Sequence, residues 1–304
     1  MLISNPNSLQ PSDRGPNSNS KPLSTSVSQC HLSETVPRDR TEKSEWDVSG
    51  VTEMREIFSR ASRFNQDLSK WDVSSVTDMA SMFKGLKAFD HDLSKWHVAA
   101  VANMRALFSD ASAFNQDVSQ WDVSAVTNMG YMFLGASAFN KDLSKWDVSA
   151  VTDMGSMFSR ASAFNQDLSK WDVSSVTAMA YMFSSAFAFN QDLSKWDVSS
   201  VTAMGSMFAR ASAFNQDLSK WDVSGVTNMG YMFSHASTFN QDLSKWDVSA
   251  VTNMRSMFQG ASAFNRKLCG IAWLSSKALK REMFVDSPGS ISSPVCETSA
   301  PGDC

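Results

Sequence analysis

Nine tryptophans recur at intervals of 25 residues: Trp46, Trp71, Trp96, Trp121, Trp146, Trp171, Trp196, Trp221 and Trp246. No insertion or deletion disturbs the run, and the register breaks only at Trp273, 27 residues after Trp246. A fixed period of this length marks a repeat architecture, in which each unit can bury its apolar face only against its neighbours. An insertion could be absorbed only as an outward loop, and none occurs. The strict spacing predicts that every unit is part of its neighbour's core. One such stack can absorb most of a 304-residue chain.

The unit Phe64–Ala88 reads FNQDLSKWDVSSVTDMASMFKGLKA. Leu68, Trp71 and Val73 give L-x-x-W-x-V, close to the L-x-x-L-x-L that forms the strand of a leucine-rich repeat. Trp71 and Val73 are two apart and would share one face of a strand, leaving Lys70, Asp72 and Ser74 to face out. Thr77 precedes Met79, Met82, Phe83 and Leu86. That i, i+3, i+4, i+7 spacing predicts a short helix with Thr77 as its N-cap. A helix of about two turns would not form alone, so stacking must hold it. Phe89 closes the coil, and the Asn-x-Asp of the next unit is turn chemistry. The expected fold class is an α/β repeat solenoid: a right-handed, leucine-rich-repeat-like coil stack. A parallel sheet of short strands about 4.8 Å apart would line one face and short helices the other.

The flanks differ in composition. Residues 1–40 are rich in Ser, Pro and Asn and read as a disordered segment, without the charged start and apolar core of a leader. Residues 41–268 hold about nine repeats. Residues 269–285 read as a C-terminal cap, with Ser275 or Ser276 starting a helix that ends near Phe284, and residues 286–304 as a disordered tail. The net charge of −4 and the lack of a basic stripe argue against nucleic acid as a partner. No apolar run approaches the roughly 20 residues of a membrane helix. The four cysteines, Cys30, Cys269, Cys296 and Cys304, lack metal-ligand spacing. Cys269 and Cys296 flank the cap and are candidates for a disulfide.

The recurring F-N-x-D-L-S-x-W-D-V-S-x-V-T-x-M-x-x-M-F resembles the 25-residue repeats of BspA-like leucine-rich-repeat surface proteins, over about residues 46–268. The resemblance implies a leucine-rich-repeat-like solenoid, a cell-surface or extracellular place, and adhesion or protein binding. It carries no catalytic residues across. The leaderless start makes a cytoplasmic scaffold the alternative.

Two sets of columns are candidate binding surfaces. Lys145, Lys170, Lys195 and Lys220 alternate with Asp147, Asp172, Asp197 and Asp222 on the expected strand, hence on its concave face. They would form either a self-neutralising lattice or a polar platform for a protein or glycan ligand. A second acidic column, Asp142, Asp167, Asp192 and Asp217 among its members, reads as turn caps. Tyr131, Tyr181 and Tyr231 are the only tyrosines and lie 50 apart; Arg160 and Arg210 recur at the same interval. They would form a patch on the convex side, or record duplication of a two-unit block. No nucleophile–base pair, HExxH motif or phosphate-binding glycine loop occurs. The sequence therefore predicts no catalytic residues, no metal, no cofactor and no enzyme.

Overall fold

The computed structural model describes residues 47–59 and 61–292. The expected disorder of residues 1–40, most of the expected tail, and Cys296 lie outside the described residues.

Each described repeat is built almost wholly of tight turns. In the unit Phe139–Ala163 the predicted strand is replaced by two of them. Trp146 donates its amide to the Leu143 carbonyl at 3.1 Å, and Val151 to Val148 at 2.9 Å. Each turn is fixed by the aspartate at its start: Ser144 N–H donates to Asp142 Oδ1 at 2.8 Å, and Ser149 N–H to Asp147 Oδ1 at 3.1 Å. This is the side-chain-to-backbone bond that makes Asp a turn residue. Trp146 and Val148 still point inward, but no neighbouring strand pairs with them.

The predicted helix is also absent. In Met154–Ala161, Met157 N–H returns to Met154 and Ala161 N–H to Phe158, both three residues back rather than four. The amides of Met154, Ser156, Phe158 and Arg160 instead donate forward to the next coil, to Ala178, Ala180, Met182 and Ser184, at 2.8–3.0 Å. Parallel bridges join the same position in every coil, from Glu53–Asp78 to Asn253–Leu279. The sheet of the stack therefore lies where helices were expected. Ser156 and Arg160 hold positive φ, 58° and 60°, as the third residues of these turns. Consecutive three-residue returns bury Met154, Met157, Phe158 and Ala161, the same 3, 1, 3 spacing that a helix would bury. The periodicity was real and its cause was different.

Inside, like side chains stack coil on coil. Phe133, Phe158, Phe183, Phe208, Phe233 and Phe258 repeat at 5.6–5.8 Å, and Phe139, Phe164, Phe189, Phe214, Phe239 and Phe264 at 6.0–6.1 Å. Trp146 and Trp171 lie 6.5 Å apart and nearly parallel. All three spacings exceed the roughly 4.8 Å imposed by backbone pairing. From Trp96 onward each indole also donates to the coil before it, Trp171 Nε1 to the Leu143 carbonyl at 2.9 Å.

The register break near Trp273 is taken up by α1 (Ile271–Ser275). Trp273 keeps its column, donating to the Leu243 carbonyl at 3.1 Å. The expected cap helix to Phe284 is a further coil instead. Met254, Ser256, Phe258 and Gly260 donate to the carbonyls of Leu279, Arg281, Met283 and Val285, and Phe284 stacks on Phe258 at 5.5 Å. Ser275 and Ser276 cap no helix: the Ser275 hydroxyl donates to the Ile271 carbonyl, and Ser276 Oγ accepts from Ala278 N–H. Lys280 occupies the place of the buried methionine column, its ammonium donating to the Ser276 carbonyl and burial pulling its pKa down. Strands β1 (Lys267–Leu268) and β2 (Ser290–Ile291) pair in parallel. Residues 286–292 therefore belong to the stack, not to a disordered tail.

Trp171→Phe keeps an aromatic ring but deletes the inter-coil donor and part of the packed volume. It should lower the unfolding free energy by about 2–4 kcal/mol, whereas Ser174→Ala on the surface should cost under about 1 kcal/mol. Urea unfolding followed by tryptophan fluorescence checks both.

Candidate functional site

Three aspartate or asparagine columns act as turn locks. The Asp142 and Asp147 columns hold the two turns around each tryptophan. Asp78, Asn103, Asn128, Asp153, Asn228 and Asn253 hold the start of the ladder, for example Asn128 Oδ1 accepting from Gly130 N–H at 2.9 Å. A fourth ladder of amides runs up one corner, Asn165 N–H donating to Asn140 Oδ1 at 3.0 Å and the Gln166 amide to the same oxygen at 2.9 Å. Hydrogen bonds from the serine two residues on hold Asp142, Asp147, Asp197 and Asp222 below the usual carboxylate range. The backbone N–H leads for Asp142 and the hydroxyl for the other three.

The candidate lysine and aspartate site is rearranged by these turns. Lys145, Lys170, Lys195 and Lys220 sit at turn corners, and Asp147, Asp172, Asp197 and Asp222 in the turn after them, away from the ladder. Each lysine acts on the other aspartate column: Lys145 lowers the pKa of Asp142, and Lys170 and Lys195 that of Asp167. The charge acting on Asp197 is that of its own column neighbour Asp222, which raises its pKa. Among the described residues no ion pair joins these lysines to Asp147, Asp172, Asp197 or Asp222. The lysines therefore offset the charge of the Asp142 column, and the strand expected to carry both columns is replaced by turns.

The tyrosines lie on the ladder. Tyr131, Tyr181 and Tyr231 occupy its first positive-φ position, at 62°, 61° and 60°. That places them on the ladder, in the segment where a helix was expected. Between them Ser156 and Ser206 fill the same position and are 7% and 6% exposed, while Tyr181 is 52% and Tyr231 37% exposed. The residue before each of these is small: Gly130, Gly155, Ala180, Gly205 and Gly230. A Cβ on Gly130 would lie 3.0 Å from Asp153 Oδ2 and 3.2 Å from the Arg105 guanidinium. Arg105 lies across that glycine, 4.4 Å from the Tyr131 ring centre and 3.6 Å from Asp153. At the other end Arg255 lies 5.9 Å from the Tyr231 ring centre and 3.5 Å from Glu282. The row is thus framed by one paired arginine at each end, with Tyr181 at its centre.

Arg160 belongs to the second positive-φ position, four residues on. It passes over Gly135 to reach Asp110 at 3.2 Å, two coils away. Arg210 sits at the equivalent place, at φ 61°. Sequence reasoning missed Arg105, Arg255 and the glycine column. The signal was available in M-G-Y and M-R-x, where residues preceding the Tyr/Ser position are either side-chain-free or arginine. Cys269 is disulfide-bonded. No group of three or more metal-ligating side chains occurs among the described residues, and no helix among them is long and apolar enough to cross a membrane.

The depressed aspartate pKa values fix the direction of acid sensitivity. The stability they add is fully present above the ordinary carboxyl value of 3.8 and is lost as pH falls through the lowered folded values. The thermal midpoint should be nearly level from about pH 7 to about pH 5 and fall below about pH 4. Ser144→Ala with Ser149→Ala should reduce that fall, as read by circular dichroism melts across the pH series.

No curated protein matches the chain in sequence. The model of a family described as Mycoplasma protein of unknown function, DUF285, matches residues 25–133, 116–216 and 188–292. Three overlapping matches spanning most of the length follow the tandem repeat itself. The chain belongs to the DUF285 family, a repeat family related to the BspA-like one.

Proposed function

We propose that this chain is a non-enzymatic binding protein of the cell surface or extracellular space, a solenoid that takes a protein or glycan ligand on its ladder face. The observation that carries the reading is the Tyr131–Tyr181–Tyr231 row on a hydrogen-bonded ladder, with Tyr181 and Tyr231 exposed and Tyr131 half-buried under Arg105. Tyrosine supplies a large contact area with a polar tip and is favoured at binding surfaces. Holding it on a stack whose backbone is paired coil to coil lowers the ordering cost of binding. A surface repeated every 25 residues offers the same groups many times, which suits an extended ligand better than a single asymmetric reaction centre. The Cys269 disulfide supports an oxidising compartment, and the resemblance to BspA-like repeats supports adhesion.

Brief protease treatment of intact native cells tests the location. Peptides from Trp146–Lys170 should appear in the released fraction without cytosolic markers. Their appearance only after lysis would sink the surface reading in favour of an intracellular scaffold.

A further inference from the structure

We propose that Tyr131, Tyr181 and Tyr231 form a strip that binds an extended, uncharged β-1,4-linked polysaccharide lying along the stack axis. The inference rests on the ladder-face reading above and names its ligand. Its first support is the period. The tyrosines occupy every second coil, so at roughly 4.8 Å per coil along the paired backbone they stand about 10 Å apart. An extended β-1,4-linked chain turns over at each linkage and shows the same sugar face at every second unit. One of its sugars advances about as far as one coil. The strip and the chain are therefore commensurate: Tyr181 meets a sugar on its open side, and Tyr131 and Tyr231 stand one disaccharide to either side, each beside an arginine.

The second support is the shape of the strip. Gly155, Ala180 and Gly205 leave the ladder without projecting side chains beside Tyr181, and Ser156 and Ser206 are buried between the tyrosines. A chain can therefore approach the backbone closely. The Arg105 side chain already lies over the equivalent glycine, with its guanidinium 4.4 Å from the Tyr131 ring centre. A flat group thus fits in that space beside a tyrosine. Around Tyr181 no arginine fills it: the residues in the place of Arg105 are glycine or alanine.

The third support is chemistry. A pyranose offers an apolar C–H face, which stacks on an aromatic ring, and hydroxyls at its edges. The strip supplies rings flanked by the amides of Asn128 and Asn228. It supplies little charge, because Arg105 is paired with Asp153 and Arg255 with Glu282. Protein ligands fit less well, since tyrosines separated by glycine and buried serine make no contiguous apolar patch.

The test uses the full-length protein and isothermal titration with cellohexaose and chitohexaose, together with retention on insoluble cellulose and chitin. The variants are Tyr181→Ser and the triple Tyr131→Ser, Tyr181→Ser, Tyr231→Ser. Serine occupies this position at φ 58° in Ser156 and Ser206, so the fold accommodates it, and urea unfolding verifies that. At least one hexasaccharide should bind, with the matching disaccharide about tenfold weaker or more. Tyr181→Ser should weaken binding about tenfold, the size of one lost aromatic contact, and the triple variant should abolish it. Asp172→Asn with Lys195→Gln on the turn face should change nothing. No saturable binding of either hexasaccharide, or binding that the triple variant retains, overturns the proposal. If no sugar binds, but the wild type is retained by purified extracellular-matrix proteins and the triple variant is not, the ladder-face reading stands and the glycan is wrong. If sugar binding is lost only in the turn-face variant, both are wrong.

Discussion

The stack depends on backbone amides that leave their own coil. In each repeat the N–H groups at alternate positions of M-x-x-M-F and the residues after it reach carbonyls of the next coil, while those between close three-residue returns. A helix would have satisfied these groups internally and left the coils joined by side chains alone. Here coil-to-coil pairing is part of the main chain, and it requires the repeat to keep one length. One added residue would move every donor to the wrong carbonyl and exchange inward for outward positions. The tryptophan columns reinforce the same register. The Leu143 carbonyl accepts both the Trp146 amide of its own coil and the Trp171 indole of the next.

The existence of the stack, its period and its buried columns were legible in the sequence because all three follow from spacing. The local backbone was not. Met154, Met157, Phe158 and Ala161 satisfy the helical pattern, and only the conformation of Ser156 and Arg160 distinguishes a chain of turns from a helix. Glycine marks the second of these positions in Gly85, Gly135 and Gly260, all at positive φ. Elsewhere glutamate, alanine, tyrosine, serine, arginine, aspartate and histidine occupy the two positions, a set too mixed to read as a turn signal. Holding such residues at positive φ costs energy, which the ladder offsets. The strand expected at Trp-Asp-Val failed for a different reason. Its aspartates are better used as locks for tight turns than as exposed strand residues, and the serine two positions on supplies both partners of the lock.

The same relocation changes which surface can bind. The lysine and aspartate columns attracted notice by repetition, yet repetition of a surface charge here follows from repetition of a turn. Asp147 and its kin return in every coil because every coil needs the turn closed. The tyrosine row is informative because it departs from the 25-residue rule. A ladder position that tolerates Ser156 and Ser206 does not require Tyr181 for folding. The departure is also bounded: Arg105 and Arg255 end it on either side, each neutralised by an acidic partner. The alternation was visible in the sequence; its place on the ladder, beside a file of small residues, was not.

The bonds between coils also have a direction. Side-chain donors within the repeats point to chain that comes earlier: Trp171 Nε1 to Leu143, Thr152 Oγ1 to Thr127, Ser162 Oγ to Ser137, and the Gln166 amide to Asn140. The ladder amides of Met154, Ser156, Phe158 and Arg160 point to chain that comes later. During synthesis a newly emerged coil can therefore dock its tryptophan, threonine and serine onto a surface that already exists. It waits only for its ladder partners, which the next 25 residues deliver. The polarity of these bonds matches the polarity of translation, and the stack can grow from its N-terminal end one coil at a time.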